Sequence, residues 1–311
     1  MSHNENIKIL VTGGCGFIGS NFIDKLFKYK VDLVVIDNLS TGLKKNLDIL
    51  KAKAKRRKIK FDYIFHFAAY SSVKLSLENP NKVIKNNLIS TKNLVFFTNK
   101  YKIRNFIFSS SASVYGNKKF KKNIKERSKL NPINAYGKSK LLCEQNIKIE
   151  LEKKNSRYCI FRYFNVVGRH ISNLVLKKKN LNLFDSIYFA LKNRKIFFIN
   201  GKNLKTIDGT PVRDFITIND IINAHLECLS QKKNNLFWNK IYNVGINKGL
   251  TVMQIINECN KIFNHKIKYK LINNNKGEIE RSIADNSKFI KFSNWQPRFT
   301  KTNKIVKSFF K

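Results

Sequence analysis

Several runs in the first half of the chain are apolar without alternation: IKILVT (7–12), LVVID (33–37), FDYIFHFA (61–68), NFIFSS (105–110) and YCIFRYFNV (158–166). A strand with one wet face alternates apolar and polar positions, whereas a strand covered on both faces reads as a continuous apolar run. Between these runs, residues 17–28, 80–101 and 136–154 carry the wider spacing of amphipathic helices. Strand and helix in repeated alternation predict an α/β fold, a doubly wound parallel sheet with right-handed crossovers. After residue 166 the pattern becomes irregular, with strands at KIFFI (195–199) and KIYNVG (240–245) and helices at 219–230 and 251–263. We therefore expect a larger domain over 1–166, to which a strand and a helix return from about 206–245, and a smaller α/β cap over 167–311. The Lys-rich stretch 43–60 is expected to be one helix.

VTGGCGFIGS (11–20) lies between the first strand and the first helix. Gly13 permits the tight turn, Gly16 lets backbone approach a pyrophosphate, and Gly19 lets the helix pack on the strand. N–H groups at the helix start then face the phosphate charge. Asp37 ends the second strand about 20 residues on, where a carboxylate accepts hydrogen bonds from the adenosine ribose and repels a 2′-phosphate. The pattern points to a Rossmann domain that binds NAD rather than NADP.

NAYGKSKLLCEQ (134–145) places Tyr136 and Lys140 one turn apart on one helix face. A phenol with its ordinary pKa near 10 is a poor base at neutral pH, and a nearby ammonium is expected to lower it. SSSASVYG (109–116) ends another strand at the carboxyl edge, where doubly wound sheets keep their sites, and offers Ser111 as a third hydroxyl. Each feature has a plain structural alternative: a solvated helix face, a Gly-rich turn, serines that cap helices. Together they favour Ser111, Tyr136 and Lys140 as a catalytic set.

Composition changes this picture little. The chain of 311 residues is 42% hydrophobic, has no apolar run long enough to span a bilayer, and begins with a polar segment that lacks the apolar core of a secretion signal. Its 5 cysteines (Cys15, Cys143, Cys159, Cys228, Cys259) are scattered, with no metal-ligand spacing, and read as reduced thiols of a cytoplasmic protein without a metal site. The net charge of +41 raises nucleic acid as a partner. The excess is mostly lysine, spread along the chain, whereas arginine is the preferred residue for bidentate contacts. We expect no specific nucleic-acid binding and no membrane association, with weak, salt-sensitive polyanion attraction at KAKAKRRKIK (51–60).

The motifs VTGGCGFIGS, VVIDNLSTG, FDYIFHFAAYSSV, NFIFSSSASVYG, NPINAYGKSKLLCEQ, FRYFNVVG, DGTPVRDFITINDI and NWQPRFT together resemble the extended short-chain dehydrogenase/reductases that act on nucleotide sugars. YFN followed by DGTxxRD is most similar to the UDP-glucose 4-epimerases among them. The resemblance implies that Tyr136 is the general base, Lys140 its partner and nicotinamide-ribose anchor, and Ser111 the bridge from tyrosine to sugar. It implies NAD contacts at Gly13, Gly16, Phe17, Ile18, Gly19, Asp37, Asn38, Ser40, Thr41, Gly42, Phe67, Ala68, Ala69, Asn86 and Phe164. Asn165, Asn182 and Arg213 are expected to hold the UDP-sugar substrate, together with Ser111 and Tyr136. It further implies tightly held NAD, a 4-keto intermediate and a homodimer formed through helices of the nucleotide domain.

The chain departs from that pattern in places. Residues 38–60 are too few for the further strand and helix that relatives carry there. Asn275 stands where relatives place an arginine on the diphosphate, and Glu278 where they place an aspartate, so Arg213 works alone or with Lys276. Loss of one charge-assisted phosphate contact costs about 1.5–3 kcal/mol. Ser282 falls near a position that controls sugar size. Ala112 and Ser113 stand where related dehydratases and decarboxylases carry acids, which disfavours those reactions. The alternatives that remain are an epimerase of another nucleotide sugar, UDP-N-acetylglucosamine above all, and a degenerate nucleotide-binding homologue with little or no turnover.

Overall fold

The computed structural model describes residues 6–40, 42, 61–71, 73–116, 122–168, 182–231, 234–264, 266–273 and 279–310. Its first half runs β1 (Ile7–Thr12), α1 (Phe17–Leu26), β2 (Val31–Ile36), β3 (Tyr63–His66), α2 (Val73–Glu78), α3 (Pro80–Lys100), β4 (Asn105–Ser111), a 3₁₀ turn (Ala112–Tyr115), α4 (Ala135–Glu152) and β5 (Arg157–Tyr163). The second half adds β6 (Asn165–Val167), α5 (Leu183–Lys192), β7 (Phe197–Asn200), β8 (Val212–Arg213), β9 (Phe215–Thr217), α6 (Ile218–Ser230), β10 (Lys240–Val244), β11 (Leu250–Thr251), α7 (Val252–Phe263), β12 (Tyr269–Ile272), β13 (Arg281–Ser282), α8 (Ser287–Phe292) and α9 (Thr302–Phe310).

Among the described residues the central sheet has six parallel strands in the order β10-β5-β4-β3-β1-β2. Its apolar strands are covered on both faces. Ile9, Val11, Tyr63, Phe65 and Ile107 point into one cluster with Phe22 of α1 and Ile221 of α6. Their neighbours Leu10, Ile64, Phe106 and Phe108 point into the other, against Cys143, Ile147 and Leu151 of α4. The period-2 split explains why these strands show no polar face. Strand β10, from KIYNVG, pairs with β5 and joins the main sheet. The predicted run 158–166 divides at Phe164: its N–H reaches Val244 O at 3.3 Å, and Asn165 then pairs with Phe215 in a separate two-stranded ladder. The short strands β8, β11 and β13 form a further sheet that lacks any extended apolar run, so hydropathy gave no sign of it. The helix expected over 43–60 lies outside the described residues. Among the described residues, no helix is long and apolar enough to cross a membrane.

One buried ion pair locks the layers together. Arg162 of β5 meets Glu144 of α4 in a bidentate contact, Nη2 to Oε2 at 2.6 Å and Nε to Oε1 at 2.9 Å. Both side chains are 2% exposed. Ser110 of β4 donates to Glu144 Oε1, and Arg162 Nη1 donates to the Tyr115 hydroxyl and the Glu126 carbonyl. Tyr115 passes its own proton to Asn243 of β10 at 2.6 Å. Burial opposes the charge on Arg162, but the hydrogen bonds and charge of Glu144 outweigh it and hold the guanidinium above its ordinary range. Removing one partner from such a pair strands the other charge in the core, at a cost of about 3–5 kcal/mol. Arg162→Met is therefore expected to lower stability by about that amount, read as a lower urea midpoint with unchanged slope.

Candidate active site at the carboxyl edge of the sheet

The turn after β1 is shaped by backbone contacts that exclude side chains. Gly13 has φ +74°, and a Cβ there would lie 2.5 Å from Ala68 N. A Cβ at Gly19 would lie 2.3 Å from Gly13 O, so the helix start and the turn are in contact. Gly16 is the N-cap of α1, no side-chain hydrogen bond caps it, and no acidic residue occupies the first helical turn. Phe17 and Ile18 open the helix, half-buried. The N–H groups of that turn are suited to an anion. Asp37 closes the turn from β2, accepting from Cys15 N–H at 2.9 Å and Leu39 N–H at 2.8 Å. Gly42 packs on Cys15, while Asn38 and Ser40 are exposed beside it. Thr41 lies outside the described residues.

Phe67, Ala68 and Ala69 follow β3, half-buried, with Phe67 N–H on Thr12 O at 3.0 Å. Asn86 is half-buried on α3. Its neighbour Asn87 is the buried one, bonded to Tyr70 N–H, Tyr70 O and Ser139 Oγ. Nothing in the apolar spacing singles out Asn87 or the adjacent polar residues Thr91 and His66, which are also buried.

Asn134 caps α4 by accepting from Gly137 N–H at 2.8 Å, which fixes the helix start one residue before Tyr136. Tyr136, Lys140 and Glu144 then follow at one-turn intervals along a single face. Lys140 is 2% exposed. Its Nζ donates to Ser109 O at 2.6 Å and lies 4.6 Å from the Phe108 ring centre and 5.9 Å from that of Tyr136. Burial pulls the ammonium down to about 8, with Cys143 and Glu144 opposing. Burial likewise pushes the half-buried Tyr136 phenol up to about 12, against a hydrogen bond from Ser111. The expectation that Lys140 lowers this phenol is thus corrected. Desolvation dominates, and the ammonium is turned to the Ser109 carbonyl instead. Ser111 ends β4 and also caps the 3₁₀ turn, its oxygen accepting from Ser113 N–H at 3.2 Å.

The other expected substrate residues lie on β6, at the start of α5 and on β8. Asn165 is exposed on β6. Asn182 caps α5 in a reciprocal box with Asp185, so its amide oxygen also serves the helix. Arg213 Nη1 donates to Val212 O and to Ile279 O at 2.6 Å, and Arg213 shares a face with Ser282 across the β8–β13 pair. Phe164 is packed with Val114, Tyr115, Ile124 and Ala284. Asn275, Lys276 and Glu278 lie outside the described residues.

Residues 9–245 match the NAD dependent epimerase/dehydratase family. The chain belongs to that family. A UDP-glucose 4-epimerase of Lactobacillus helveticus is 31% identical over 98% of this chain and 96% of its own length. Among solved structures, the UDP-Glc/GlcNAc 4-epimerase of Campylobacter jejuni superposes with a TM-score of 0.83 at 34% identity, covering 98% of each chain. The UDP-glucose 4-epimerase of Bifidobacterium longum, in complex with NAD⁺ and UDP, gives 0.84 at 29% identity over 97% of this chain and 96% of its own. The Rossmann fold inferred from the strand pattern is therefore that of this epimerase family.

Two buried histidines make the site's surroundings sensitive to acid. His225 Nδ1 donates to Ile221 O at 2.8 Å, so its bare Nε2 accepts from the Tyr163 hydroxyl at 2.7 Å. Burial lowers His225 to about 4 and, with Lys140, His66 to about 3. An unfolded histidine titrates near 6.5. Below that pH the unfolded chain binds more protons than the folded one, so this contribution to stability is present above 6.5 and is lost as pH falls toward the folded value. Between pH 6 and 5, wild-type stability should fall by about 1 kcal/mol more than that of His225→Gln, measured by urea unfolding at the two pH values.

Proposed function

We propose that this chain is an NAD-dependent UDP-glucose 4-epimerase, interconverting UDP-galactose and UDP-glucose. The observation that carries the reading is Tyr136 and Lys140 on one turn of α4, with Ser111 hydrogen-bonded to the phenol, beside a glycine turn shaped for a dinucleotide. We assign residues 1–166, with the strand and helix from about 206–245, to the NAD-binding domain, and 167–311 to the substrate cap.

In this assignment Gly13, Gly16, Phe17, Ile18 and Gly19 hold the pyrophosphate. Asp37 and the residues to Gly42 hold the adenosine ribose. Phe67, Ala68, Ala69, Asn86 and Phe164 line the nicotinamide side. NAD, when bound, supplies a hydride acceptor that becomes the donor for the return transfer, and its positive ring favours the phenolate. Tyr136 takes the proton from the sugar 4-hydroxyl and later returns it on the other face, with Ser111 bridging the two oxygens. Lys140, pulled down to about 8 by burial and held on the Ser109 carbonyl, anchors the nicotinamide ribose. Asn165, Asn182 and Arg213 hold the nucleotide, which leaves the 4-keto sugar free to turn over. Water must be excluded while it turns.

A second reading extends the substrate to UDP-N-acetylglucosamine. It is favoured by the likeness to the Campylobacter jejuni enzyme and by the small Ser282 on the Arg213 face. We place the protein in the cytoplasm, where its buried free thiols persist. We also propose a homodimer through α3 and α4, which leave Ile89, Phe96 and Ile149 exposed, Phe96 at 67%.

Purified protein supplied with UDP-galactose should form UDP-glucose, and Tyr136→Phe should reduce that rate by at least about a hundredfold. Equal rates in the two proteins would reject Tyr136 as the base. UDP-N-acetylglucosamine in the same assay decides the second reading. Light scattering should report a dimer that Phe96→Glu converts to monomer.

A further inference from the structure

We propose that His66 is a positioning residue for the Tyr136–Lys140 couple, acting from beneath the sheet edge through the Phe108 ring and through a buried hydrogen-bond chain. The inference rests on the roles given to Tyr136 and Lys140 above and goes beyond them by naming what fixes their geometry.

His66 ends β3 and is 1% exposed. Its ring nitrogens reach two hydroxyls, Nδ1 to Thr12 Oγ1 at 2.8 Å and Nε2 to Thr91 Oγ1 at 3.0 Å. Thr91 has one proton, shared between the Asn87 carbonyl one helical turn back, at 2.9 Å, and Cys143 Sγ, at 3.2 Å. Its oxygen therefore accepts from the Nε2–H of His66, and the bare Nδ1 accepts from Thr12. The ring is neutral, and both its valences are used. Thr12 is the last residue before Gly13, so one end of the chain holds the phosphate turn. Thr91 lies on α3 and also touches Cys143 Sγ of α4 at 3.2 Å, so the other end holds the helix that carries Tyr136 and Lys140.

A second path is aromatic. The His66 ring centre lies 5.4 Å from that of Phe108, and the Lys140 ammonium lies 4.6 Å from the Phe108 centre. Phe108 is thus the floor under the ammonium, and His66 is what that floor rests on. A neutral ring in this place also keeps a second positive charge away from Lys140.

The test uses the NAD-loaded enzyme and two variants. His66→Phe keeps a ring against Phe108 and removes both hydrogen bonds. Thr91→Val removes one link from the opposite end and leaves the histidine in place. Two quantities are read: kcat and KM for UDP-galactose, and the pH at which Tyr136 ionises. The second is followed as the ultraviolet difference between each protein and its Tyr136→Phe counterpart, and it needs no sugar. We expect kcat to fall by at least about fivefold with KM within about twofold, and the phenol to ionise at least about half a pH unit away from wild type. Combining the two substitutions should cost little more than His66→Phe alone, because they cut one chain. Wild-type kcat and wild-type phenol titration in a folded variant overturn the proposal, as does a loss confined to KM. Should His66→Phe not fold, Thr91→Val decides alone. If wild-type protein does not turn over UDP-galactose, the substrate assignment fails, and the phenol titration still decides the role of His66.

Discussion

A guanidinium and a carboxylate sealed from water beneath α4 hold the working end of the sheet together. Arg162 and Glu144 connect β5 to α4, and Ser110, Tyr115 and Asn243 extend the link to β4, the 3₁₀ turn and β10. Two charges buried this deeply are tolerated only because their hydrogen-bonding valences are nearly all met. The same pair fixes the rotation of α4 about its axis. Glu144 faces inward, so Lys140 and Tyr136, one and two turns earlier, must face the carboxyl edge of the sheet. The side chains assigned here to catalysis thus take their direction from a contact buried in the core.

Burial decides the chemistry of this face more than proximity does. Lys140 and Tyr136 are both moved toward their neutral forms, one down to about 8 and the other up to about 12. The two groups, whose ordinary values nearly coincide, are thereby driven apart, because desolvation penalises each charge separately. A positively charged ring placed against the phenol can then favour the phenolate strongly, since little water remains to screen it.

Much of this was legible in the order of residues. Continuous apolar runs revealed the buried parallel strands because both faces of each strand meet a core. The glycine turn was legible because Gly13 and Gly19 make approaches that no Cβ permits. The spacing of Tyr136 and Lys140 revealed a shared face because a helix turn is a local rule. What stayed hidden depends on neighbours far apart in the chain. The break at Phe164 arises because Asn165 pairs with Phe215, and the β8–β13 pair joins Arg213 to a strand that leaves no hydropathy signal. The polar interior of His66, Thr91 and Asn87 was equally invisible, since a buried threonine and an exposed one look alike in a sequence. The direction of the Tyr136 shift was misjudged for the same reason: burial is a property of the assembled molecule.

Asp214 shows when the molecule is complete. Its buried carboxylate, pushed up to about 7 by desolvation, accepts from the N–H groups of Ile246, Asn247 and Ala284. Arg213 beside it leans on the carbonyl of Ile279. These partners emerge from the ribosome after the nucleotide turn and the α4 helix have already been made. The Asp214 carboxylate thus lacks its N–H partners until segments 32 to 70 residues further along the chain have folded back over it, which makes the burial of this acid a late event of synthesis.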